Sequence, residues 1–540
     1  MVAMLAVVAI ISAAPPMVAP SAPELPHEYV DTTPVKSAGR TIHLSAGDNL
    51  QAALNAGNLG DVITLEPGAT FTGPFTLPAK SGAGWLVIRT ATPDSILSPH
   101  GIERVTPEMA PLMARLVAPS GAVMSLAPAA HHYRLIGLEL SPAPATYLYH
   151  LIAPAREPVV DEDQPHHIIV ERCYLHGDPV QGTRRAVALN GRHLAVIHSH
   201  LSDFKEAGAD SQALAGWSGS GPIRIVDNYL EGSAENVLFG GADPTIPDLV
   251  PSDIEIRGNT FAKNPRWNPD GGRSDGSHWT AKNLFELKNA RRVLIEGNLF
   301  EQYWGTAIVI TPRNQNGRAP WSTVEDVVIR RNWLRQVWAV LLISGFDEYH
   351  PSRPTARIAF EDNLATDLLE SGDPNPKTIL MVNGPEDISV RHNTLLTTPK
   401  LRSSYLYLAN SQVKKGSAFL FTDNIVHMGF YGLGATNPGL GPDAGSLLNG
   451  HFQSWSFERN VLINTRGLPT AVYPPTQLWA SSLEAVGFRD LARGDFGLAP
   501  QSRYRRSPVE AGDPGVDFQA LLAALGRYGV GDPRSARGAR

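Results

Sequence analysis

The sequence predicts an all-β solenoid, a rod of stacked coils in which like strands pair in parallel. Three observations predict it. A short phrase of alternating apolar and polar residues, closed by a pivot and a further apolar pair, returns ten times between residues 168 and 464. A second short apolar strand follows many of the pivots, as in "NVLFGGAD" (236–243), "NLFELKN" (283–289), "AIVITPRN" (307–314) and "AVLLISGFD" (339–347). The 49 Gly and 44 Pro of the 540 residues supply turns and leave little room for long helices. Several short strands in each ~30-residue period suit coils that bury their apolar faces against their neighbours, so length does not set the domain count.

The elements follow in chain order. Residues 1–26, opening "MVAMLAVVAIISAAPPMVAP", form an apolar run followed by small residues and prolines, although no basic residue precedes the run. They are expected to be a secretory signal and leader, placing the mature chain outside the cell or in the periplasm. No later stretch is apolar for long enough to span a bilayer, so no integral membrane segment is expected. In "TIHLSAGDNLQAALNAGNLGDVITLEPGATFTGPFT" (41–76), Asp48 and Gln51 read as a capping box. Leu50, Ala53 and Leu54 form an apolar helical face, and Gly57 is expected to be a left-handed stop. This short helix would plug the open end of the first coil, and "GDVITLEPG" would be the first strand.

The repeats are "IIVERCYLHG" (168–177), "LAVIHSHLSD" (194–203), "IRIVDNYLEG" (223–232), "IEIRGNTFAK" (254–263), "VLIEGNLFEQ" (293–302), "VVIRRNWLRQ" (327–336), "IAFEDNLATD" (358–367), "ISVRHNTLLT" (388–397), "FLFTDNIVHM" (419–428) and "WSFERNVLIN" (455–464). "YRLIGLELSP" (133–142) is an earlier, diverged copy. The pivots are Cys173, Ser199, Asn228, Asn259, Asn298, Asn332, Asn363, Asn393, Asn424 and Asn460. Asn tolerates the left-handed conformation a sharp bend requires, and stacked amides can bond one another in a ladder. A ligand site does not need the same residue in successive coils, so the Asn row is read as architecture. At ~4.8 Å per coil, ten coils make a rod of roughly 50 Å.

Residues 41–76, with the closing "VGFRDLARGDFGLAPQSRYRRSP" (486–508) and "DPGVDFQALLAAL" (513–525), resemble the opening and closing segments of the pectin lyase-like superfamily. The resemblance spans about residues 41–525 and implies a single-stranded right-handed parallel β-helix with a short N-terminal capping helix; residues 526–540 are read as a disordered tail. The superfamily includes pectate, pectin and alginate lyases, chondroitinases, polygalacturonases, epimerases, tail spikes and proteins without known chemistry, so fold does not choose a reaction. The Asn-Thr-Asp, Asp-Asp and Gly-His-Gly segments of polygalacturonase-like members are missing here. So are the Trp-Ile-Asp-His and Arg-x-Pro-x-x-Arg segments of pectate lyases and the Asp-Pro-His of alginate epimerases.

The candidate chemistry is therefore positional. The longest spacing between pivots, from Asn259 to Asn298, holds an insertion over 264–289 with Trp267, His278, Trp279 and Lys282. Long excursions gather on the binding face of a solenoid. Trp267 and Trp279 offer flat faces to sugar rings, or pin the loop to the rod. In "FELK", Phe285 and Leu287 point inward, so Glu286 and Lys288 point out. Stacked in register with Arg313 and Asp243, these make a mixed-charge patch. Lys282, Glu286, Lys288 and Arg313 are read as catalytic, Asn289, Asn314 and Gln315 as substrate-binding with the two tryptophans, and Asp243 as a metal ligand, with calcium the candidate ion. Such a patch suits β-elimination from a uronic-acid glycan, one cation neutralising the sugar carboxylate while a second group takes the neighbouring proton. An exposed salt-bridge ladder is the bland reading of the same residues. Gly240 and Gly241 are expected to leave space for a ligand. Asp347 and Glu348 are a second candidate cation pair. The His pairs 131–132 and 166–167 are set aside because adjacent strand residues face opposite ways.

The expected function is an exported polysaccharide lyase with a polysaccharide partner. The alternative is a non-catalytic glycan-binding or structural rod. A net charge of −6 argues against a nucleic-acid binder. The single cysteine rules out an intrachain disulfide, and a monomer is expected.

Overall fold

The structure is a computed structural model that describes residues 18–99, 103–268, 278–369, 377–397, 404–409, 414–436, 443–506, 512–527 and 530. Apart from the antiparallel pair Phe488–Asp490 and Asp495–Leu498, its strands stack into three parallel columns. The first sheet has fourteen strands, from Thr41–Leu44 to Phe452–Glu458. The second begins at Thr70–Thr72 and ends at Leu478–Ala480; the third runs from Phe75–Leu77 to Gly432–Ala435. Leu299–Ile310 and Trp333–Ser344 pair in both the second and third sheets and so join them. Thr41–Leu44 pairs with Val62–Leu65, so the first strand lies one element earlier than "GDVITLEPG". Alternate side chains from the three sheets fill one continuous apolar core along the rod.

The pivots form the ladder the repeat implies. Each backbone N–H and side-chain amide of Asn228, Asn259, Asn298, Asn332, Asn363, Asn393 and Asn424 donates to the Oδ1 of the next Asn, at 2.9–3.1 Å. Asn460 ends the row on Gln477 Oε1. Ser199 and Cys173 extend it the other way through backbone N–H donors alone. The Asn residues do not take the left-handed conformation, however. The residue before each pivot does: Arg172, His198, Asp227, Gly258, Gly297, Arg331, Asp362, His392, Asp423 and Arg459 all have φ between 49° and 67°. The amide is thereby left free to point along the axis.

The capping helix is Leu50–Ala56, with Leu50, Ala53 and Leu54 buried. Its N-cap is Asn49, whose side chain accepts from Ala52 N–H, rather than a box of Asp48 with Gln51. Asp48 binds Ser45 N–H, and Gln51 clasps both backbone groups of Thr76. Gly57 has φ −68°, so it is not a left-handed stop; a Cβ there would lie 3.1 Å from the Ala53 carbonyl oxygen and 3.3 Å from Leu86. Close packing accounts for that glycine.

Both terminal segments run lengthwise. Residues 18–40, including the part of the expected leader from 18 to 26, lie along the first sheet. Val18 bonds Ser454, Glu24 N–H donates to Asp326, His27 N–H to Asp253, Arg134 donates to the carbonyls of Thr32 and Thr33, and Ser37 and Gly39 meet Gly60. Val30 is buried against Ile169, Ala195, Ile197 and Val226. At the other end, Val516 and the helix Phe518–Arg527 pack with Leu299, Trp333, Leu364, Ile425 and Val461 of the second sheet, and with Leu396 just past a strand of it, as a separate apolar cluster. Residues 1–17 and 531–540 lie outside the described residues, and no described helix is long and apolar enough to cross a membrane.

Candidate active site

The third sheet carries a cleft of about 660 Å³ on its outer face. Successive coils supply Tyr149, then Arg184 and Arg185, then Asp210, Gln212 and Trp217, then Gly240 and Gly241, then Lys282 and Lys288, then Arg313 and Gln315, and last Tyr349 and His350. Six coil spacings of ~4.8 Å give it a length of about 30 Å along the rod.

Its polar groups are held in place from below. Arg185 Nε donates to Gln212 Oε1 at 2.6 Å, and Gln212 Nε2 donates to the buried Glu235 at 2.7 Å. The Arg185 guanidinium lies 5.4 Å from the Tyr149 ring centre and 5.2 Å from that of Trp217. Burial, with the Arg185 and Arg184 charges adding to it, brings His150 down to about 3, so a neutral imidazole sits at 3.4 Å from Arg185. Lys282 meets Asp210 at 2.5 Å and Glu235 at 3.8 Å. Burial opposes its charge, but the Asp210 hydrogen bond and the surrounding carboxylates outweigh it and raise its pKa. Burial, followed by the Glu286 charge, raises Glu235. Arg313 is fixed by Asp347 at 2.9 Å and lies 4.9 Å from the Tyr349 ring centre. Lys288, with its side chain 12% exposed, stands 3.6 Å from Glu286.

The catalytic unit of a thermostable GH87 α-1,3-glucanase from Streptomyces thermodiastaticus strain HF3-3 superposes with a TM-score of 0.50 at 12% identity, over 84% of this chain and 72% of that one. This chain has the right-handed parallel β-helix fold. The PL6 family polysaccharide lyase Pedsa3628 from Pseudopedobacter saltans gives 0.43 at 12% identity, over 81% of this β-helix and 95% of that chain. No protein-family model and no curated protein matches the sequence.

On this β-helix, Lys282, Lys288, Arg313 and Gln315 come together in the cleft, with Glu286 just beneath. Phe285 and Leu287 are fully buried in the core, so the alternation of "FELK" holds. The other readings fare differently. Trp267 is buried, and both tryptophans face Lys205, at 5.6 Å and 5.5 Å from the ring centres. They pin the insertion to the rod and do not line the cleft. Residues 269–277 of that insertion lie outside the described residues. Asn289 bonds the Leu249 carbonyl and Thr323 N–H; Asn314 bonds the Pro351 carbonyl and Ala319 N–H. Both are buried turn residues with their polar atoms engaged.

Asp243 does not fit a calcium ion. Its Oδ2 accepts from Asn316 and Arg318 N–H, it stands outside the cleft lining, and one carboxylate falls far short of the six to eight oxygens calcium takes. Asp347 is likewise filled by Arg313, Asn314 N–H and Tyr349 N–H, and Glu348 accepts from Asn383. The space at Gly240 is taken by the chain itself, since a Cβ there would lie 2.6 Å from Asn289 N. Sequence reasoning missed Arg184, Arg185, Tyr149 and Trp217. Their signal was the register of the stack, which sets Arg185 beside Gln212 and Gln212 beside Glu235.

Proposed function

We propose that the protein is an exported polysaccharide lyase that cleaves a uronic-acid-containing glycan by β-elimination in this cleft. The observation that carries the reading is the charge of the lining: Arg184, Arg185, Lys282, Lys288 and Arg313 face the space, and Asp210 is the sole carboxylate among the described lining residues. Glycoside hydrolysis ordinarily needs two carboxyl groups flanking the bond, whereas elimination needs cations on the sugar carboxylate. Arg313 and Arg185 are pre-oriented guanidiniums suited to bidentate carboxylate binding. Holding the carboxylate there makes the C5–H acidic. Lys288 faces the same space and, after its ammonium has released a proton to solvent, takes the C5 proton as a free amine; the C–H electrons form the C4–C5 double bond, and the glycosidic oxygen leaves with a proton drawn from solvent. Tyr149, Trp217 and Tyr349 supply rings for sugar faces.

A second reading has its own support. Lys282 and Arg313 already stand in ion pairs, which suits a cleft that grips an anionic glycan without cutting it. The test is ultraviolet absorbance of unsaturated uronide product, with purified protein against a panel of uronic-acid polymers, with and without calcium. The lyase reading expects a rise on one polymer that Lys288→Ala and Arg313→Ala each lower at least a hundredfold. Saturable binding without product would favour the second reading. Neither binding nor product on any polymer would remove both.

A further inference from the structure

The members of the two His pairs do not face opposite ways. His132, His167 and His193, each the second residue of a first-sheet strand, have φ of 58°, 54° and 52°. This left-handed step cancels the alternation and turns both members of a pair outward on the same side. His131 Nδ1 lies 2.8 Å from His132 Nδ1, and His166 Nδ1 lies 2.8 Å from His167 Nδ1. Parallel register then sets one pair above the other, with His131 stacked on His166 at 4.8 Å and His132 on His167 at 4.5 Å between ring centres.

The same step recurs in later coils at Asp253, Arg292, Asp326, Arg357 and Asp387, where acids and bases alternate and pair: Arg292 with Asp253 at 2.7 Å, and Arg357 with Asp326 at 2.6 Å. The early coils place imidazoles at these positions instead, and the hydrogen bonds of the two pairs run between the rings themselves. One edge of the group is closed by Trp85, 5.1 Å from His132. The other is closed by His193, stacked at 4.3 Å on His167 and held by Glu28 of the lengthwise N-terminal segment at 2.8 Å. Arg192, beside His166 in register, turns to Asp161 at 3.4 Å.

We infer that His132, His166 and His167, with His131 as a fourth donor, form a binding site for a divalent transition-metal ion of the zinc class, on a different sheet from the cleft. Nitrogen donors of the three rings lie within 4.8 Å of one another. A tetrahedral ion with metal–nitrogen bonds of ~2.1 Å needs donors about 3.4 Å apart, so the 2.8 Å pairs open and the coils' rings tilt toward each other. Imidazole donors suit zinc, copper and nickel rather than calcium or magnesium. The ion would bridge two coils and, through His167 and His193, sit next to the N-terminal segment.

The experiment uses the full chain stripped with a chelator and titrated with Co²⁺, then with Zn²⁺ in competition, following the visible absorption of tetrahedral cobalt and the thermal midpoint. Expected are one ion per chain, a raised midpoint, and a loss of affinity of roughly tenfold or more in His132→Ala/His167→Ala. His43→Gln, at an exposed histidine of another coil, should leave binding unchanged. If the double variant does not fold by circular dichroism, His166→Gln is titrated in its place. Absence of a cobalt spectrum and of a midpoint shift in the native chain would overturn the inference. Binding that persists in the folded His variants would also do so.

Discussion

At the scale of single residues, the pivot column separates two tasks that the sequence seemed to give to one side chain. The recurrence of Asn made the amide ladder legible, because its short amide both donates and accepts along the axis. The left-handed bend was misassigned to Asn, since the preceding position holds Arg, His, Asp and Gly and shows no single preference. Asn332 Oδ1 accepts from both donors of Asn298, and its own amide reaches Ile295 and Asn363. Asn332→Ala should therefore cost roughly 2–4 kcal/mol, because buried donors lose their acceptor, as measured by urea denaturation. Glu231 gives a pH test. Burial, which outweighs its hydrogen bond from Asp203 N–H, pushes it up to about 7 from 4.5. A carboxyl raised on folding stabilises fully below its unfolded pKa, and that stability is lost as pH rises through about 7. Against Glu231→Gln, which does not titrate, the native chain should lose roughly 1–3 kcal/mol between pH 5 and pH 8. Denaturation at the two pH values reads it directly.

At the scale of elements, the cleft was half legible. Lys282 and Lys288 lie within an unusually long spacing between pivots and Arg313 just after it, which a sequence displays openly. Arg185, Gln212 and Glu235 come from coils of ordinary length and meet through register and a hydrogen-bonded row. Gln212→Leu should release Arg185 and leave Glu235 without that donor. The expected result is at least a tenfold fall in kcat/KM on the responsive polymer, with the far-ultraviolet spectrum unchanged. The two His pairs were misjudged for a related reason, since a left-handed step inside a strand breaks the period-two rule without leaving a Gly or Pro to announce it. The N-terminal segment was invisible as an element because it has no strand or helix of its own. Arg134→Ala would remove its donors to Thr32 and Thr33. Arg134 also holds the buried Glu171 at 2.6 Å, so limited proteolysis should cut within residues 18–40 several-fold faster than in the native chain, ahead of any cut in the weakened coils.

At the scale of the whole molecule, the architecture was the most legible level, because a period repeated ten times averages out the ambiguity of any one strand. What the repeat does not encode is how its ends are finished. The helix Phe518–Arg527 returns to Gly297, where a Cβ would lie 2.9 Å from the Ala524 carbonyl oxygen. Gly297→Val, strained by its φ of 67° as well, should undock that helix and lower the thermal midpoint by several degrees. Open solenoids lose coils from their ends one at a time. Here two segments cross many coils, so denaturant should give a single transition by both fluorescence and circular dichroism.

The lengthwise N-terminal segment also has a consequence in time. Val18, at the beginning of the described chain, bonds Ser454, and 436 positions separate the two. A ribosome delivers Val18 long before Ser454. The coils that hold Asp253 and Asp326, and finally Ser454, have to exist before the segment can seat in order from Glu28 back to Val18. The outer face of the first sheet therefore stays uncovered during biosynthesis. Closing it waits on the coil that holds Ser454.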